Sequence, residues 1–169
     1  MTDFQNDTVD QVVEARWVIP VDAPRLVLEH HAVAIGGGHI REVLPIHQAR
    51  DRYPATPRIQ LTGHVLIPGL INLHTHAAMT LMRGLADDRA LMDWLQNHIW
   101  PAESRHVSEA FVRDGTLIAC AEMLRGGVTC FNDMYFYPEA AAQAAITAGM
   151  RAALGIIVIE MPSAYAADA

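Results

Sequence analysis

Two runs of almost unbroken apolar residues, Val65 to Leu73 and Ala152 to Ile159, lack a polar face, the pattern of strands covered on both sides in a parallel sheet. Between them, Ser108 to Arg125 and Glu139 to Ala148 show helical spacing, and Val128 to Met134 reads as another strand. Strand, helix, strand, helix, strand is the order of a parallel α/β unit, whose helices are expected to wrap the sheet. The punctuation agrees. Ser108 caps the first helix, Gly126 and Gly127 stop it, and Gly149 stops the second. Leu91 to Trp100 also carries helical spacing.

The stretch ahead of this differs. Val9 to Ile19, Val27 to Ile35 and Ile40 to Val43 are short and β-rich, with turns at Pro20, Pro24 and Gly36-Gly37-Gly38, and read as a small antiparallel unit. Pro54, Pro57 and Gly63 interrupt the chain before a strand expected at residues 64–73. The expected division is therefore a β segment at 1–63 and a β/α segment at 64–169.

A chain of 169 residues that is 51% hydrophobic can bury a real core. Its net charge of -7, without any basic block, speaks against nucleic acid or an anionic membrane as partner and suits a neutral or cationic small molecule. All 12 basic residues are arginine, so no lysine chemistry is available. Met1 to Asp7 is polar and acidic, unlike a secretory signal, and no apolar run approaches the roughly 20 residues of a membrane span. With only Cys120 and Cys130 as thiols, both expected to be buried, a cytoplasmic location is anticipated. Self-association into a homo-oligomer stays open.

The chemistry concentrates where the first apolar run ends, in His74-Thr75-His76. Alternate residues of a strand point the same way, so the two imidazoles can reach one ion. A catalytic zinc typically takes three protein ligands and leaves one place for water. His74 and His76 are thus candidate ligands for one divalent ion, with zinc the first choice, although two imidazoles also suit iron and other metals. His30, His31, His39, His47 and His64 fall in the β segment or its exit, outside any catalytic role, and His98 and His106 read as exposed loop residues.

The stretch Pro68-Gly69-Leu70-Ile71-Asn72-Leu73-His74-Thr75-His76, continued by Met79 to Gly84 and Trp94-Leu95, resembles the amidohydrolase superfamily. Within it the chain looks like the branch of 5′-methylthioadenosine and S-adenosylhomocysteine deaminases, beside chlorohydrolases and guanine deaminases. The likeness extends through Gly126-Gly127-Val128-Thr129 and Asp133-Met134-Tyr135. It implies an α/β fold: the start of a distorted TIM (β/α)8 barrel preceded by a small β-sandwich segment. It also implies further ligands and proton-transfer groups on later strands. These match nothing here, so the catalytic residues are expected beyond residue 169 and the chain resembles an amino-terminal part.

By the same resemblance, Glu103 in Trp100-Pro101-Ala102-Glu103 is a substrate-binding residue that meets the ribose hydroxyls, and a carboxylate can accept two hydrogen bonds from a vicinal diol. Trp94 is a second candidate at the substrate, whereas Trp100 reads as core. Asp133, at the end of the second strand, lies where a barrel could use it, although a helix cap or a hydrogen bond behind the metal ligands explains it as well. Gly155 stands where some relatives carry an arginine for an amino-acid carboxylate. The implied reaction is hydrolytic deamination of an adenosyl thioether. The alternatives are another amidohydrolase reaction, such as guanine deamination or chlorohydrolysis, or a noncatalytic fragment.

Overall fold

The computed structural model describes residues 8–160 together with 162, 163 and 166, in two units, Met1–Pro68 and Gly69–Ala169. The polar stretch at residues 1–7 lies outside the described residues.

In the first unit, β1 (Gln11–Val18), β2 (Leu28–Gly36) and β3 (His39–Pro45) form an antiparallel meander, as their alternating sequences require. A short helix that the sequence did not announce, α1 (Ile46–Arg52), then carries the chain back, so β4 (Arg58–Leu66) adds beside β1 in parallel. The sheet order is β3-β2-β1-β4, and the unit is mixed rather than purely antiparallel. Val12, Ala32, Ala34 and Leu44 pack with Ala49 of α1, while Ala15, Val18 and Val33 form a second cluster.

Glu14 is 3% exposed, and it tolerates burial because Arg50 donates to both its oxygens, from Nε at 3.0 Å and Nη2 at 2.7 Å. These hydrogen bonds hold its carboxyl below the usual carboxylate range against the opposing effect of burial.

The strand expected at 64–73 is two strands. Residues up to Leu66 complete β4, whose backbone is committed to β1, and Pro68-Gly69 break the run before β5 (Leu70–Thr75). The two compact units divide between Pro68 and Gly69.

In the second unit, β5, β6 (Val128–Met134) and β7 (Arg151–Gly155) form the expected parallel sheet in the order β5-β6-β7. A 3₁₀ helix, Ala77–Met82, leaves β5. The segment with helical spacing from Leu91 splits into α2 (Leu91–Trp94), a π turn at Leu95–Ile99 and α3 (Trp100–His106). The helix α4 (Glu109–Arg125) starts where Ser108 Oγ accepts the Phe111 N–H at 3.2 Å, and α5 (Pro138–Ala148) ends at Gly149 with φ 70°.

Phe131 is fully buried beneath Ala119 and Cys120 of α4 and Ala145 of α5. Alanine and glycine on these helices permit close approach. A Cβ on Gly115 would stand 2.5 Å from Ala78 O in the 3₁₀ helix. Gly115→Ala is expected to lower stability by about 1–3 kcal/mol through overpacking, despite up to ~1 kcal/mol of better helix propensity. Urea unfolding of the two proteins measures the difference.

The sheet is not covered on both faces among the described residues. Ile71 and Leu73 are 63% and 75% exposed although their sequence reads as buried strand. The strand order β5-β6-β7 grows in one direction and α4 packs against α5, as crossovers of the usual right hand, which lay successive helices on one face, would have them. Burial was also misjudged for one thiol, since Cys120 is buried but Cys130 only half-buried. No helix among the described residues is long and apolar enough to cross a membrane.

Candidate metal and substrate site

The site grows from the carboxyl ends of β5 and β6. His74 lies near the end of β5, and His76 is the first residue past it, at φ -126° and ψ 71°, turning the chain into the 3₁₀ helix. The imidazole centroids are 5.2 Å apart with planes at 83°, so the alternation of the strand end does bring the pair together.

The tautomer of His76 follows from its partner. Its Nδ1 stands 2.7 Å from the Met134 carbonyl oxygen. A carbonyl only accepts, so Nδ1 carries the proton and, in the neutral ring, Nε2 presents a lone pair. This is how a ligating histidine is ordinarily oriented. No third His, Cys, Asp or Glu joins the pair in a metal-holding cluster among the described residues. The donors present fit a divalent ion as two of its ligands.

Asp133 braces this loop, as a hydrogen-bonding residue behind the candidate ligands that also caps the start of the 3₁₀ helix from β6. It is 2% exposed, and its Oδ1 accepts the Ala77 N–H at 2.9 Å. The Thr75 hydroxyl also lies 2.9 Å from Oδ1 and 2.8 Å from Asn132 O, sharing one proton between them. Thr75 and Ala77 flank His76, so one buried carboxylate holds the chain on either side of the imidazole. Asn132 Nδ2 donates to Leu73 O at 3.1 Å and fixes the residue before His74. Burial, and then the charge of Asp133, push the nearby Cys120 thiol up, which leaves it a protonated core residue.

Glu103 projects from α3, whose first turn contains Pro101, a residue suited to a helix start. Its Oε1 accepts the Tyr135 hydroxyl at 2.7 Å. Tyr135 follows β6, is 5% exposed, and sets its ring centroid 6.2 Å from that of His76. Burial raises the Glu103 carboxyl above its ordinary range, while the Tyr135 hydrogen bond and His76 draw it back. Burial, reinforced by Glu103, raises the Tyr135 phenol well above its ordinary range, so it remains a donor.

Glu103 lines a cavity of about 240 Å³ with Trp100, Ser104, Val107 and Phe136. Trp100 therefore faces this cavity rather than lying in the core as its spacing suggested. Trp94 does not line it; the Trp94 indole N–H donates to Leu85 O at 3.1 Å. Residues six apart on a helix fall on different faces, and the π turn between them shifts the phase further. His98 and His106 sit on the π turn and α3 instead of loops, and line a separate open cavity with Arg83 and Arg105.

Sequence reasoning missed Tyr135 as a partner of Glu103 and the Met134 carbonyl as the partner of His76. Only the quoted Asp133-Met134-Tyr135 run hinted at them, because a backbone acceptor has no sequence signature.

Residues 65–168 match the Amidohydrolase family. A 5-methylthioadenosine/S-adenosylhomocysteine deaminase of Saccharophagus degradans is 51% identical over 92% of this chain and 35% of its own length. A protein of the same name from Teredinibacter turnerae is 45% identical over 94% of this chain and 36% of its own. The crystal structure of a zinc-bound adenosine deaminase from Xanthomonas campestris superposes with a TM-score of 0.89 at 46% identity, covering 95% of this chain and 36% of that one. The chain thus spans little more than a third of the length of these relatives. The family match covers residues 65–168, more than half of the chain, and the chain belongs to the amidohydrolase family.

Proposed function

We propose that the protein carrying this chain deaminates an adenosyl thioether, 5′-methylthioadenosine or S-adenosylhomocysteine, and with them adenosine, to the inosyl product and ammonia. The observation that carries this reading is the link from Glu103 through Tyr135 to His76, which sets a diol acceptor beside a candidate metal ligand. The names of the relatives at 51% and 45% identity support the substrate class.

In this reading His74 and His76 hold a divalent ion, zinc before others, with further ligands on later strands. When bound, the ion supplies Lewis-acid activation of water. Met134 O orients the His76 imidazole, and Asp133 braces the backbone on either side of it. Glu103 accepts hydrogen bonds from the ribose hydroxyls, and Trp100 and Phe136 offer aromatic walls to the nucleoside. The β5-β6-β7 sheet is taken as the opening wall of a (β/α)8 barrel, and the first unit as part of a β-sandwich. Two unpaired thiols suit a reducing cytoplasm.

The test is ammonia release by the intact, metal-loaded protein from 5′-methylthioadenosine, S-adenosylhomocysteine, adenosine and free guanine. Turnover of the nucleosides is expected; ammonia from guanine alone, or from none, overturns the reading. Glu103→Gln is expected to raise KM for nucleosides on the order of tenfold to a hundredfold, since it weakens charge-assisted bonds to the diol.

A further inference from the structure

The buried hydroxyl of Tyr135 makes one hydrogen bond among the described residues, to Glu103. Its ring lies against His76 at 6.2 Å and against Phe136 at 5.1 Å, both within ring-contact range. Those contacts fix the ring. The hydroxyl then donates to Glu103 Oε1 at 2.7 Å, and Oε2 of the same carboxylate accepts no hydrogen bond from a described residue, while His76 acts on the carboxylate through its charge. Glu103 itself borders the aromatic cavity of about 240 Å³. A glutamate side chain on a helix has three rotatable bonds, and without an anchor its carboxylate would sample several positions over that cavity. With Oε1 tied down, the carboxylate plane is set and Oε2 is left to a ligand.

We propose that Tyr135 is the positioning residue for ligand hydroxyls: by holding Glu103 Oε1 it orients Oε2 toward a ribose diol in the Trp100–Phe136 cavity. The proposal rests on the reading of Glu103 as the diol acceptor. It adds a residue that touches no substrate, and it explains why a tyrosine rather than a phenylalanine stands at a site whose ring packing phenylalanine would satisfy. It also makes the carboxyl end of β6 and the residue after it the organiser of both halves of the site. Asp133 braces the loop around His76, Met134 O sets the His76 tautomer, and Tyr135 sets Glu103, on three consecutive residues.

The deciding experiment is isothermal titration of the intact protein with the inosyl product 5′-methylthioinosine and with its 2′,3′-dideoxy counterpart, which avoids turnover. The wild-type protein is expected to prefer the hydroxylated ligand by about tenfold or more. In Tyr135→Phe, which keeps the ring, that preference is expected to fall to within about twofold. In steady-state assays of the nucleoside substrate the loss should appear in KM much more than in kcat. In a Glu103→Ala background, Tyr135→Phe should change the preference no further, as two residues acting through one bond require. A wild-type protein without hydroxyl preference would overturn the reading of Glu103 and this proposal with it. A wild-type preference that survives Tyr135→Phe, or additive effects of the two substitutions, would overturn the proposal alone.

Discussion

Replacing His76 by alanine is expected to abolish stoichiometric metal binding by the intact protein and to reduce ammonia release by on the order of a thousandfold or more. The loss has two parts. The Nε2 lone pair disappears, and a divalent ion that keeps only His74 from this segment loses the chelate that two imidazoles 5.2 Å apart provide. The Met134 carbonyl also loses its donor, a smaller effect of about 1 kcal/mol on folding. Elemental analysis of the purified variant, alongside thermal unfolding, separates the two. His74→Ala should match it in metal loss with less cost to folding, because the His74 ring makes no hydrogen bond to a described residue. Full metal content in both variants would remove these residues from the metal site.

Asp133→Ala is expected to be the most damaging substitution for folding near the site, by about 2–4 kcal/mol in urea unfolding. The Asp133 carboxylate is 2% exposed, and the Ala77 N–H it accepts is itself buried. Water cannot reach that donor to replace the lost bond, so the full cost of an unsatisfied buried group is incurred. Metal affinity should fall roughly tenfold to a hundredfold as well, since Thr75 and Ala77 on either side of His76 lose their common acceptor. Asp133→Asn retains an oxygen acceptor and should keep much of both. If the alanine variant unfolds like the wild type, the brace has no energetic weight.

These two residues show why the site was only half legible beforehand. His74 and His76 could be singled out because a strand end has a fixed period, and period is local. Their orientation could not. Met134 O lies on a neighbouring strand, and it meets His76 only through the parallel register that pairs Thr75 with Asp133. The same holds for the carboxylates. Glu103 was named by resemblance, yet its raised carboxyl and its tyrosine partner arise from burial between α3 and the end of β6.

Fold-level expectations divided along the same line. Ser108 and Gly149 acted as the caps their chemistry suggests, because a cap is settled within a turn of helix. The run from Val65 to Leu73 was misjudged as one strand, because composition cannot say which sheet claims a residue. Hydrogen bonding to β1 claimed the residues up to Leu66, and pairing with β6 claimed those from Leu70.

The order of strands and helices, the caps, the candidate ligand pair and the family likeness were thus determined by the sequence alone, since each depends on neighbours along the chain. The parallel return of β4, the one-sided cover of the β5-β6-β7 sheet, the choice of Trp100 over Trp94 at the cavity, and the Asp133, Met134 and Tyr135 contacts were decided only by tertiary structure. Each of these depends on which distant segment satisfies a hydrogen bond or fills a space, and that is settled when the whole unit packs.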